Sequence, residues 1–183
     1  MSRDYDVHET DVRLDARDMG RRAALFAGLL FIVADVATFA GDALLRPVVG
    51  SDYLTQLHAH PGLAAVGVFA KLISALAGAS IAVAMYQVLK RANVGMALGA
   101  VVFRALEATF YLVGAMSLLA LLELSRQYAA AGAADRVSLQ AIGDALMSLR
   151  TYAAPLLGVF AFCVGSFLYN LLFLRARLVP RWL

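Results

Sequence analysis

VGMALGAVVFRALEATFYLVGAMSLLALL, residues 94–122, decides the class of this protein. Only Arg104 and Glu107 are charged in the whole stretch. A membrane-spanning helix needs roughly 20 apolar residues, because a rise of about 1.5 Å per residue must cross about 30 Å of hydrocarbon. Lipid offers no partner to open backbone amides and carbonyls, so such a run must be helical. Arg104 and Glu107 stand three apart, share a helix face and can pair there.

Three further runs meet the same length condition: 23–45, 62–89 and 152–174. The composition agrees. Of the 183 residues, 62% are apolar, and the mean hydropathy is +0.75. Soluble domains hold about 45–50% apolar residues, and their cores cannot absorb the excess. The expected fold is an all-α integral membrane protein, a four-transmembrane-helix bundle. Residues 1–22 are too charged for a signal peptide and read as a cytoplasmic tail, leaving 23–183 as one transmembrane domain.

Orientation follows from Lys and Arg. With the N-terminus inside, the cytoplasmic segments hold Arg3, Arg13, Arg17, Arg21, Arg22, Lys90, Arg91, Arg175, Arg177 and Arg181. The outer segments hold only Arg46, Arg126, Arg136 and Arg150. This bias predicts both termini in the cytoplasm. The net charge of +3 therefore reports loops, and the basic residues form no groove pattern that would imply nucleic acid.

Two outer connections carry helical signals. Asp52 can cap a short helix over about 52–59, and Pro61 restarts the chain after it. Over about 136–150, Leu139, Ile142, Leu146 and Leu149 recur on one face, which predicts a helix lying on the membrane surface or capping the bundle. Tyr53, Tyr128 and Tyr152 suit the outer interface; Tyr86, Tyr169 and Trp182 suit the inner one. Arg175, Arg177, Arg181 and Trp182 are candidates for contact with lipid headgroups.

Four charges lie deep in the spans: Asp35, Lys71, Arg104 and Glu107. Counting residues from the run ends places them near one level. Each would cost on the order of 2.5–3.5 kcal/mol at a helix centre if left alone. They are therefore expected to face inward and form a network joining spans one, two and three. Asp35 would pair with Lys71 and Glu107 with Arg104, or in the crossed arrangement. Such a network either locks helix register or lines a polar cavity for a ligand.

Several chemistries lack their residues. His8, His58 and His60 all fall outside the runs, so histidine ligation of a haem inside the bundle is not expected, and no cofactor is. His58 and His60, with Asp42 and Asp52 near in sequence, make only a weak metal candidate. Ser74, Ser80, Ser117 and Ser166 have no histidine near them, and such serines usually bond back to their own helix. The single cysteine, Cys163, reads as an inert buried thiol. No catalytic constellation is visible, and a non-enzymatic role is preferred.

The stretches DYL (52–54), ASIAVAMYQVLK (79–90), VGMALGAVVFRALEA (94–108), AAAGAAD (129–135) and RLVPRWL (177–183) are similar to a bacterial multi-pass membrane family catalogued as domain of unknown function 4386. The resemblance covers most of 22–183 and implies the bacterial inner membrane as location. Two departures stand out. Lys71 occupies a position where members often carry an acid, and members usually continue past R-W-L with further apolar spans. No activity is implied. The role expected is binding of a lipid, a hydrophobic small molecule or a partner membrane subunit, with homo-oligomerisation possible. A proton-coupled transporter component acting as an oligomer is the alternative, and a lipid-modifying enzyme the second alternative.

Overall fold

The computed structural model describes residues 25–176. The tail over 1–22, and the headgroup candidates Arg177, Arg181 and Trp182, lie outside the described residues. Helix α1 is Leu25–Leu45. Then follow α2 (Tyr53–Ala59), α3 (Pro61–Leu89), α4 (Val94–Ala130), α5 (Ala133–Thr151), a π-helical segment (Tyr152–Gly158) and α6 (Val159–Arg175). Among the described residues every regular element is helical. Four helical stretches are long and apolar enough to cross a membrane: Leu25–Leu45, Pro61–Leu89, Val94–Ala130 and Ala133–Arg175.

Local chemistry sets the helix ends. Asn93 occupies the N-cap of α4, and its side chain accepts from the Met96 amide at 2.9 Å. Pro61 opens α3, where its missing N–H is no loss. Asp52 stands at the N-cap of α2, but its side chain makes no capping bond. Its backbone carbonyl accepts from the Gln56 amide instead.

The 37-residue α4 is the axis of the bundle. It packs against α2, α3, α5, the π-helical segment and α6. At about 1.5 Å per residue it runs about 55 Å, far more than a bilayer core. Its last turns carry the polar residues Glu123, Arg126 and Gln127. The 133–175 stretch returns alongside it as one continuous helix.

That continuity bears on the helix expected over about 136–150, which packs as a cap of the bundle. Residues 136–150 are helical, but no break separates them from the fourth span, and α5 packs along α4. Leu139, Leu146 and Met147 pack against a core of Leu54, Leu57, Leu121 and Leu124 instead of lipid, while Ile142 and Leu149 stay exposed. Helix α2 completes this cap, and Leu57 and Leu121 are fully enclosed.

Tyr53 clasps α2 to α5. Its hydroxyl donates to Asp144 Oδ1 at 2.7 Å and accepts from Gln140 Nε2 at 3.1 Å. Gly143 makes room, since a Cβ there would lie 2.6 Å from the Tyr53 hydroxyl. Tyr53 is thus a buried cap residue, not an aromatic at the lipid interface. Burial, then the hydrogen bond and charge of Asp144, push the Tyr53 phenol well above its usual range.

Helix α1 is the least enclosed of the four. Leu29, Ile32, Val36 and Phe39 remain outward, as a lipid-facing helix requires. Its inner side meets α3 at two glycines. A Cβ at Gly67 would stand 2.7 Å from Leu45 Cγ, and one at Gly41 3.2 Å from the Gly67 carbonyl. Small residues here let the backbones close up.

Two outcomes are expected. Gly67→Ala lowers stability by about 1–3 kcal/mol through overpacking, whereas Gly78→Ala, with nothing within 4 Å of the new methyl, is neutral or gains up to about 1 kcal/mol. Thermal unfolding in detergent compares them. Tyr53→Phe costs about 1 kcal/mol at neutral pH. Because the folded phenol is raised above 10.0, its contribution holds below pH 10 and fades as pH climbs toward the folded value. The parent therefore loses stability above pH 10 more steeply than Tyr53→Phe, read as Tm against pH.

Candidate functional site

The π-helical segment exists because Pro155 sits inside a helix that does not stop. Proline has no N–H and its ring clashes with the carbonyl one turn back. A wider π turn accommodates both, and such bulges recur at functional sites. Pro155 thus lies inside a helix that continues on both sides of it. Glycines on both sides allow close approach to α4. A Cβ at Gly114 would meet Ala154 Cβ at 2.9 Å, and one at Gly158 would meet Tyr111 Cε1 at 2.8 Å.

Beside this segment lies a cavity of about 340 Å³. Its walls come from α1, α3, α4 and the widened turn. Leu45, Ala115, Leu118 and Val159 supply apolar surface. Asp42, Lys71, Tyr111 and Arg150 supply polar groups, with Thr38 and Ser74 behind them. The volume falls within the range of small-molecule pockets, about 300–1,000 Å³.

Lys71 is the hinge of the polar wall. Its Nζ meets Asp42 Oδ1 at 2.5 Å and donates to the Thr38 carbonyl at 3.4 Å. Thr38 and Ser74 join α1 to α3 through a hydroxyl–hydroxyl bond of 2.5 Å, and Thr38 Oγ1 also donates to the Ala34 carbonyl. Ser74 thus bonds across to α1, whereas Ser80 and Ser117 bond back to their own helix. Arg150 reaches the cavity from the last turn of α5. Among the described residues it has no carboxylate within ion-pair distance.

The four charges named from sequence do not form one network joining the first three spans. Arg104 Nη1 donates to Glu107 Oε2 at 2.8 Å. This pair faces α6, where the Arg104 guanidinium lies 4.8 Å from the Phe162 ring centroid and 5.9 Å from that of Tyr169. Tyr169 is buried in this contact, not placed at the inner interface. Lys71 belongs to a separate pair, and its acid is Asp42. Asp35 is exposed on α1, with no ion pair among the described residues.

Register explains the exchange. The Thr38–Ser74 and Asp42–Lys71 contacts fix α1 antiparallel to α3. In that register Asp35 falls roughly level with Ala77, about one and a half turns from Lys71. Run ends had set Asp35 and Lys71 at similar depth; the loop and α2 shift the helices past each other. Asp42 lies four residues after Thr38 and so shares its face. That spacing was a usable signal. Arg150 had a weaker one: it sits five residues before Pro155 at the border of an apolar run.

The remaining candidates are dispersed. His58 and His60 are exposed, and among the described residues no three His, Cys, Asp or Glu side chains gather as a metal site. Cys163 is exposed on α6, not buried. Arg175 sits at the last turn of α6, where its Nη1 lies 3.2 Å from Met96 Sδ.

A bundle of four long apolar helices, with charged groups turned into a cavity, is the architecture of a multi-pass membrane protein. The chain belongs to the family described as a domain of unknown function (DUF4386), which matches residues 26–183. No curated protein and no solved structure matches the chain.

Removing one partner of the enclosed pair leaves the other charge uncompensated. Glu107→Gln is expected to cost about 3 kcal/mol or more, while Asp35→Asn leaves stability within about 0.5 kcal/mol of the parent. Paired thermal melts in one detergent test the contrast.

Proposed function

We propose that this protein is a non-enzymatic membrane protein that binds a small lipophilic ligand, with lipid as its principal partner. The observation that carries the reading is the cavity of about 340 Å³ beside the π-helical segment. It combines apolar walls with the Lys71–Asp42 pair and Arg150. A structure needing only locked helices has no use for such a space, because packed interiors leave few voids larger than a water molecule. The other pair, Arg104–Glu107, serves to hold α4 against α6.

The excess of Lys and Arg on the terminal side supports an orientation with both termini in the cytoplasm. In that frame the cavity lies toward the outer leaflet. The bacterial inner membrane is the location that the family resemblance favours. Val159 stands exposed beside the cavity, so a ligand reaches it sideways from lipid.

Native mass spectrometry of the gently extracted protein tests this. A small-molecule adduct is expected on the parent and absent from Val159→Trp, whose indole fills the space without entering the buried core. Equal adducts on both, or none on the parent, refute the reading.

A further inference from the structure

A second cavity of about 470 Å³ adjoins the first. Phe39, Asp42, Ala43, Leu45, Arg46, Val49 and Arg150 line it. Asp42, Leu45 and Arg150 belong to both. The two spaces share these walls and make up one groove at the C-terminal end of α1.

The charges along that groove are unequal. Lys71, Arg46 and Arg150 are cationic, and Asp42 is the one acid. Asp42 is tied to Lys71, yet its side chain is 60% exposed against 25% for Lys71. The acid therefore sits at the opening and the lysine beneath it. Arg46 and Arg150 have no carboxylate within ion-pair distance among the described residues. Lys71 and Arg150 line the first space and Arg150 and Arg46 the second, while the one carboxylate pairs with Lys71 alone. Guanidinium forks match carboxylate and phosphate oxygens in pairs.

Resting on the ligand-binding reading above, we infer that the ligand is a single-chain anionic amphiphile, and that Asp42 is its internal competitor. The carboxylate or phosphate head lies between Lys71, Arg150 and Arg46. The chain lies along Leu45, Leu118 and Val159 in the deeper cavity. Asp42 holds the place on Lys71 that the head takes, so ligand arrival swings the Asp42 carboxylate outward. An acid at this position neutralises an otherwise stranded lysine when the site is empty, and weakens anion affinity as the consequence. The occupied site carries a negative head against three cations, and the released Asp42 faces the opening.

The experiment uses the full chain in phosphatidylcholine nanodiscs. Radiolabelled dodecanoate, dodecyl phosphate, dodecanol and dodecyltrimethylammonium are each titrated by equilibrium dialysis, with inorganic phosphate as a fifth probe. The two anionic amphiphiles are expected to bind at least about tenfold more tightly than the alcohol or the cation. Asp42→Asn should tighten the anions about fivefold, the scale of a partly exposed ion pair. Arg150→Gln should weaken them about tenfold, with the alcohol unchanged. Val159→Trp should remove binding of every chain. Equal, Val159→Trp-sensitive binding of alcohol and anion overturns the anion assignment and keeps the cavity reading. Inorganic phosphate binding as tightly as dodecyl phosphate overturns the amphiphile. No binding of any chain sinks both. Weaker anion binding in Asp42→Asn overturns the competitor role. The comparison of head groups on the parent needs no variant, so it stands even if Asp42→Asn fails to fold.

Discussion

Hydrocarbon gives neither a backbone amide nor a charged side chain anything to bond with, and the rest of this structure depends on that constraint. It makes every apolar run a helix. It also decides where Arg104, Glu107 and Lys71 point. Arg104 and Glu107 meet on their own helix and turn toward the aromatic face of α6. Lys71 reaches along α1 until it finds Asp42. Each solution is local. A charge in lipid takes the nearest acid that the helix register brings, not the one at the nominally matching depth.

Helix α4 converts these local solutions into a fold. Around its C-terminal half, α2 and α5 pack and enclose leucines in the manner of a soluble core. The molecule thus has two stabilising regimes. Around the end of α4, large apolar side chains bury one another. Along the apolar spans, Gly41, Gly67, Gly114 and Gly158 let neighbouring helices approach closely. The cavity lies at the join between them, beside the one turn that proline keeps from being a regular α-helix.

Much was legible from the chain alone. The four apolar runs, the restart at Pro61 and the possibility of an Arg104–Glu107 pair all depend on spacing within one segment. Spacing within a segment is a property that periodicity reports directly. Less legible were the groups that make the site. Asp42 stood near the end of a run and Arg150 just before another, and neither position reveals that they face one space. The aromatic residues show the same limit. Tyr53 and Tyr169 have interfacial chemistry, but tertiary contacts bury both.

The sequence by itself determined the class: long apolar runs have only the helix available in lipid, whatever surrounds them. It also determined that a deep charge is costly in lipid when it has no partner. The tertiary structure alone decided which partners and where the space lies. The offset of α1 against α3 moves Lys71 from Asp35 to Asp42. The unbroken passage from α5 through Pro155 into α6 brings Arg150 beside them. Both depend on how helices slide past one another. That sliding is set by glycine contacts and by the cap at the end of α4, interactions between segments that no periodicity within a segment encodes.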